Sequence, residues 1–197
     1  MVLFTSEIKK TGGGSLLLEK AVIKKGEIPV LLAVVCKDDD PERKNLLRDM
    51  GAWFQNKVVA NIGKCAISLK KDVESAFEEL CGDDEIEILK KKSGMGELSF
   101  VLCAGRNAFV SGENAYLIQQ RFGSISAETV MDFSEDRFLL EEGAAVIITD
   151  GKNSLSEDKN RLECLFSAGN ENALERSVRE VSEGLSNISI ICIKVGV

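Results

Sequence analysis

Gly96-Glu-Leu-Ser-Phe-Val-Leu-Cys-Ala-Gly105, followed by Asn107-Ala-Phe-Val-Ser-Gly-Glu-Asn-Ala-Tyr-Leu117, sets the expected fold of this chain. Apolar residues fill it in runs of strand length, from Glu97 to Cys103, Ala108 to Ser111 and Ala115 to Gln119. Between them lie Gly105-Arg-Asn107 and Gly112-Glu-Asn114, whose Gly and Asn residues suit tight turns. Short strands joined in this way make an antiparallel meander. The pattern resumes with Phe138 to Leu140 and Ala144 to Thr149, around Glu141-Glu142-Gly143, and stops at the turn pair Asp150-Gly151.

Upstream, Val30 to Cys36 is a continuous apolar run of strand length, bounded by Pro29 and Asp38-Asp39-Asp40. Asp40 and Pro41 supply an N-cap and an N1 proline, so a helix is expected to start there. Leu46, Met50, Trp53 or Phe54, Val58 and Ile62 follow at helical spacing. Ser68 is expected to cap a second helix, with Leu69, Val73, Ala76, Phe77 and Leu80 on one face and Gly82 as its stop. Glu85 to Leu89 alternates and is expected to be a strand. Downstream, helices are expected near Glu157 to Phe166 and from Asn172 to Leu185, where Leu174, Val178, Val181 and Leu185 align. Ile188 to Val195 reads as a terminal strand. Helices and strands fall in blocks, which favours an α+β fold with mainly antiparallel sheets over a doubly wound one. No repeat and no linker divides the chain, so one domain over residues 1–197 is expected.

Composition excludes several kinds of chemistry. The 197 residues are 44% hydrophobic and 29% charged, ample for a core. Histidine is absent, which removes imidazole triads, histidine-ligated zinc and histidine proton shuttles. The net charge of −7 opposes binding to nucleic acid or to an anionic membrane. Cys36, Cys65, Cys81, Cys103, Cys164 and Cys192 form no CxxC pair, and most lie in apolar runs as small hydrophobes. Free buried thiols fit a reducing compartment, and no apolar run is long enough to span a bilayer. A cytoplasmic location is the expectation. Thr11-Gly-Gly-Gly14-Ser15 fails as a phosphate loop, because no GK[ST] follows and LLLEKAVI reads as a strand. It is expected to be an ordinary turn.

Three features, in this order, resemble the PPM/PP2C metal-dependent serine/threonine phosphatases. The stretch from Gly96 to Leu117 is similar to that family's glycine-started strand, hairpin and "GDSRxYL"-type strand, keeping Gly112, Ala115, Tyr116 and Leu117. Glu142-Gly-Ala-Ala-Val-Ile-Ile-Thr-Asp-Gly151 is similar to its "GDxLLLxSDG" strand and turn. Leu185-Ser-Asn-Ile-Ser-Ile-Ile-Cys-Ile-Lys-Val195 is similar to its closing "DNxTxIxV" strand. The resemblance covers most of residues 30–195. It implies a β-sandwich flanked on each side by pairs of helices, and a site where Mn²⁺ or Mg²⁺ ions held by carboxylates activate a water for attack on a phosphoester.

The ligand-bearing segments depart from that pattern. Lys9-Lys-Thr-Gly-Gly-Gly-Ser15 stands where the family has an Arg and an acidic pair. Cys36-Lys-Asp-Asp-Asp40 stands where it has DGxGG, with Lys37 at the aspartate and Asp38 one residue away. Asp150-Gly151 is kept, whereas Ser186 replaces the aspartate before Asn187. The resemblance therefore implies Asp150 and Asp38 as vestigial metal ligands and no catalytic residue that can be named. Asp150 also suits a structural strand-end turn, Glu113 a turn, and Asp38 to Asp40 a helix N-terminus. The leading expectation is a pseudophosphatase that needs no cofactor and binds a protein, either a phosphoprotein or a kinase-linked component. One alternative is an active Mn²⁺- or Mg²⁺-dependent phosphatase with a rearranged site using Asp150, Asp38 and Asp39 or Asp40. The other is a structural or assembly subunit sharing the fold.

Overall fold

A computed structural model describes residues 2–23, 28–68, 73–121, 124–130, 136–151 and 159–196. The strands are β1 (Leu3–Lys9), β2 (Leu16–Ile23), β3 (Ile28–Cys36), β4 (Leu98–Ala104), β5 (Asn107–Ser111), β6 (Ala115–Arg121), β7 (Ser124–Thr129), β8 (Arg137–Leu139), β9 (Ala145–Thr149) and β10 (Ser189–Val195). The helices are α1 (Pro41–Trp53), α2 (Val59–Ser68), α3 (Val73–Cys81), α4 (Asp84–Gly94), α5 (Lys159–Ser167) and α6 (Glu171–Val181). A π-helical turn over Phe54–Val58 joins α1 to α2.

Among the described residues, two five-stranded sheets form, with strand orders β1-β10-β9-β6-β7 and β2-β3-β4-β5-β8. Their strand pairings are antiparallel. The strands alternate between two apolar layers rather than between core and water. In β3, Leu31, Ala33 and Val35 face the other sheet with Val101, Val146, Ile148, Ile191 and Ile193. Val30, Leu32, Val34 and Cys36 point the opposite way, onto Met50, Phe54, Ile62, Phe77 and Leu89 of the helices. Ile190 and Cys192 of β10 pack likewise on Leu165, Leu174 and Val178. A strand buried on both faces needs apolar residues at nearly every position, which explains the uninterrupted runs Val30 to Cys36 and Ile190 to Ile193. The result is the expected α+β sandwich. Its helix layers differ, with α1 to α4 on one sheet and α5 and α6 on the other.

The N-cap expected at Asp40 is present, its Oδ1 accepting from Arg43 N at 2.8 Å with Pro41 opening α1. Two expectations need correction. Glu85 to Leu89 lies in helix α4, not in a strand. Ile86, Leu89 and Ser93 form its buried face, with acidic residues in the first turn and Lys91 and Lys92 in the last, as the helix dipole favours. A five-residue alternation is too short to separate that spacing from a strand. Ser68 is the last residue of α2, and the next helix is described from Val73; the expected cap contact, Leu69 and Glu157 lie outside the described residues. Helix α6 stops at Val181, because Lys10 Nζ takes up the carbonyls of Ser182 (2.5 Å) and Leu185 (2.9 Å) as the chain turns toward Gly184 (φ 79°).

Candidate functional site

The segments singled out by the sequence meet at one end of the sandwich. There the β1–β2 turn, the end of β3, the residues after β9 and the start of β10 come together. Asp150 follows the last residue of β9 and is 2% exposed. Its Oδ2 accepts the backbone N–H of Gly14 at 2.9 Å and that of Ser189 at 3.0 Å. Ser189 Oγ donates to Gly14 O at 2.6 Å, and Asp150 N donates to Ser189 O at 3.2 Å. The carboxylate thus bridges the β1–β2 turn to the first residue of β10.

The glycine turn is more than the ordinary turn expected from the sequence. A Cβ placed on Gly14 would lie 1.7 Å from the Cys36 carbonyl oxygen, and one on Gly13 would lie 2.7 Å from Ile188 O. Gly13 and Gly14 therefore thread between β3 of one sheet and β10 of the other, where no side chain fits. Only Gly12 of the three has a positive φ, 79°. Ser15 continues the seam, with Ser15 N donating to Asp38 O at 3.0 Å and Cys36 N to Ser15 O at 2.8 Å. Gly13, Gly14, Ser15 and Ser189 are site residues that sequence reasoning missed. Their signal was the run of three glycines beside a strand end.

The acidic run Asp38 to Asp40 faces this seam from β3. Asp38 joins it through its backbone carbonyl, and its side chain is exposed. Asp39 accepts from Ser15 Oγ and forms ion pairs with Lys9 (3.0 Å) and Lys44 (3.4 Å). The Ser15 hydroxyl, then Lys9, hold its carboxyl down at about 2. Asp40 caps α1. Lys37 is exposed, and its backbone N–H donates to Glu97 O at 2.9 Å. Glu113 lies in the Gly112–Asn114 turn, as expected.

These residues do not fit a two-cation centre. One oxygen of Asp150 is already engaged by two backbone N–H donors. Asp39 and Asp40 are held by a hydroxyl, lysines and a helix N-terminus, and among the described residues no three Asp, Glu or Cys side chains group as a metal site. Thiol chemistry is disfavoured as well. Burial pushes Cys36, Cys103 and Cys192 up to about 12 and Cys81 to about 11, which keeps these thiols protonated at neutral pH.

Among the described residues, no helix is long and apolar enough to cross a membrane. No protein-family model matches the chain, and no curated protein matches it in sequence. Solved structures do match it. PppA, a key regulatory component of T6SS in Pseudomonas aeruginosa, aligns with a TM-score of 0.53 at 11% identity, over 98% of this chain and 98% of that one. RsbX in complex with magnesium aligns at 0.51 and 12% identity, over 97% of this chain and 92% of its own. The PP2C phosphatase domain and regulatory fragment of the cell fate determinant SpoIIE from Bacillus subtilis aligns at 0.51 and 10% identity, over 99% of this chain. This chain spans 64% of that SpoIIE chain. At such identities the likeness is one of architecture, and the fold of this chain is that of the PPM/PP2C phosphatase domains.

Proposed function

We propose that this chain is a non-catalytic PP2C-fold domain that acts by binding a protein, as a pseudophosphatase. The observation that carries this is the use of Asp150: its carboxylate is buried and bonded to the backbone of Gly14 and Ser189. Phosphoester hydrolysis in this fold calls for carboxylates gathered around cations that polarise a water and the phosphoryl oxygens. Here the neighbouring carboxylates serve a helix cap and a lysine-bonded turn. The partner class proposed is a phosphoprotein or a kinase-linked component, in line with PppA, named a key regulatory component of T6SS, and SpoIIE, named a cell fate determinant. The proposal takes residues 1–197 as one domain and places it in the cytoplasm.

A second reading keeps one observation in its favour. Asp38 and Asp150 both bond to the Gly12–Ser15 turn, one through its carbonyl and one through its carboxylate. An active Mn²⁺- or Mg²⁺-dependent phosphatase would have to draw its ligands from that pair and Asp39 or Asp40. Calorimetric titration with Mn²⁺ and turnover of p-nitrophenyl phosphate separate the two, with Asp150→Ala as control. The expected result is no metal-dependent turnover. Turnover that Asp150→Ala abolishes would overturn the non-catalytic proposal. Pull-down from the native cell addresses the subunit alternative, which a stable stoichiometric assembly would favour.

A further inference from the structure

We infer that Asp150 is a structural clamp: its carboxylate and the Gly13-Gly14 backbone close one end of the sandwich, and the domain folds without a metal ion. The inference deepens the non-catalytic reading of the same site and rests on it, yet it concerns folding rather than turnover.

The inner faces of the two sheets meet through apolar side chains, which carry no directional register. At this end a set of polar bonds supplies it. Gly14 N and Ser189 N converge on Asp150 Oδ2, and Ser189 Oγ returns to Gly14 O. Ser15 links the same turn to the strand end of the other sheet through Cys36 N and Asp38 O. Buried N–H groups need acceptors, and here one carboxyl oxygen accepts from both. The space is also taken. Gly14 fits against Cys36 O only because it has no Cβ, and Gly13 fits likewise against Ile188 and the Ser189 hydroxyl. Gly151, at φ 73°, turns the chain away directly after Asp150, and a Cβ there would lie 2.2 Å from Asn114 Nδ2. The clamp is thus enclosed by the Cys36 and Ile188 backbone on one side and by the Asn114 side chain on the other. A carboxylate in this setting is balanced by amide dipoles and needs no cation.

The test compares Asp150→Asn with Asp150→Ala in the full chain. Asn retains an oxygen able to accept from Gly14 and Ser189, whereas Ala leaves both N–H groups buried without an acceptor. Asp150→Asn is expected to lower Tm by less than half as much as Asp150→Ala. MnCl2 or EDTA is expected to shift the wild-type Tm by less than about 1 °C, since a ligand that does not bind the native state cannot stabilise it. Amide exchange gives a local readout: Gly14 and Ser189 N–H should be protected in the wild type and in Asp150→Asn. Equal Tm losses in the two variants would overturn the inference, as would a Mn²⁺-dependent rise in Tm that Asp150→Asn removes. If Asp150→Ala does not fold, the metal titration and the exchange of the wild type and Asp150→Asn still decide it. Turnover with a metal-independent Tm and a tolerated Asn would remove the non-catalytic reading and leave the clamp standing.

Discussion

Gly14→Ala is the sharpest perturbation available, because a single added carbon acts on the seam between the sheets. The Cβ would stand 1.7 Å from Cys36 O, 2.9 Å from Cys36 C and 3.0 Å from Lys37 C, all of them backbone atoms. No rotamer relieves this, so the turn and the end of β3 must separate by more than an ångström. That movement stretches four bonds at once: Gly14 N to Asp150, Ser189 Oγ to Gly14 O, Ser15 N to Asp38 O and Cys36 N to Ser15 O. One involves a carboxylate, worth about 1.5–3 kcal/mol, and three are neutral, at about 1 kcal/mol each. Partial relaxation leaves an expected loss of about 3–6 kcal/mol, a large share of a typical domain stability of about 5–15 kcal/mol. Thermal unfolding should show it as a Tm lower by about 6–24 °C, at about 2–4 °C per kcal/mol for a chain of this size, and urea unfolding as a lower midpoint. Two other glycines calibrate the scale. Gly94 has open space around its Cβ position, and Gly94→Ala should be neutral or gain up to about 1 kcal/mol. Gly184 has open space but a φ of 79°, so Gly184→Ala should cost about 1–2 kcal/mol from backbone strain alone. A Gly14→Ala protein melting within about 2 °C of wild type would refute the close backbone packing of the seam.

Two further outcomes follow from titrating side chains. Burial lowers the pKa of Lys194, whose Nζ donates to the carbonyls of Leu165 at 2.9 Å, Gly143 at 3.4 Å and Phe166. Just below the ordinary lysine value of 10.5 the unfolded chain therefore binds more protons than the folded one, and stability linked to this group rises with pH. Unfolding at pH 7 to 10.5 should show wild type gaining on Lys194→Met, and a constant difference would contradict it. Asp39 is held at about 2, so its contribution is present above its ordinary 3.8 and is lost as pH falls toward 2. Asp39→Asn should flatten the acid limb of the stability curve, and a 1 M salt buffer should do part of the same by screening Lys9 and Lys44; an unchanged acid limb would count against the Ser15 and lysine contacts.

Legibility in the sequence followed how local each signal was. The start of α1 could be read because Asp40 and Pro41 are adjacent and their effect is confined to one turn. The central strands β3, β9 and β10 could be read because burial on both faces leaves apolar runs at Val30 to Cys36, Ala145 to Ile148 and Ile190 to Ile193. Helix α4 could not, since Glu85 to Leu89 offers too few residues to reveal the buried triplet Ile86, Leu89 and Ser93. The end of α6 was equally hidden: the lysine that closes it, Lys10, is 172 residues away from Ser182 in sequence. Lys194 is the same kind of case. Its place in an apolar strand carries no hint that the C-terminal carbonyls of α5, at Leu165 and Phe166, lie over it.

The candidate site divides along the same line. Asp150 could be found from the motif, but its use could not, because an Asp-Gly pair is compatible with a turn, a ligand or a clamp. What selects among them is the direction in which the carboxylate oxygens point, and that depends on residues 136 and 39 positions away, Gly14 and Ser189. The glycine run presents the converse difficulty. Glycine is used where φ must be positive or where another backbone comes too close for a Cβ. Sequence does not separate the two, yet here Gly12 serves the first purpose and Gly13 and Gly14 the second. Close approach requires a second segment, here the end of β3 at Cys36 and the chain at Ile188 and Ser189, and Ser189 is itself bonded to Asp150. The glycines and the aspartate therefore form one feature: the glycines let the backbone N–H reach the carboxylate, and the carboxylate gives that buried N–H its acceptor. A metal centre of like-charged carboxylates needs its cation to hold together. A carboxylate facing amide dipoles does not, so the surrounding positions can carry Lys37, Ser186 or a lysine-paired Asp39 without unbalancing the fold.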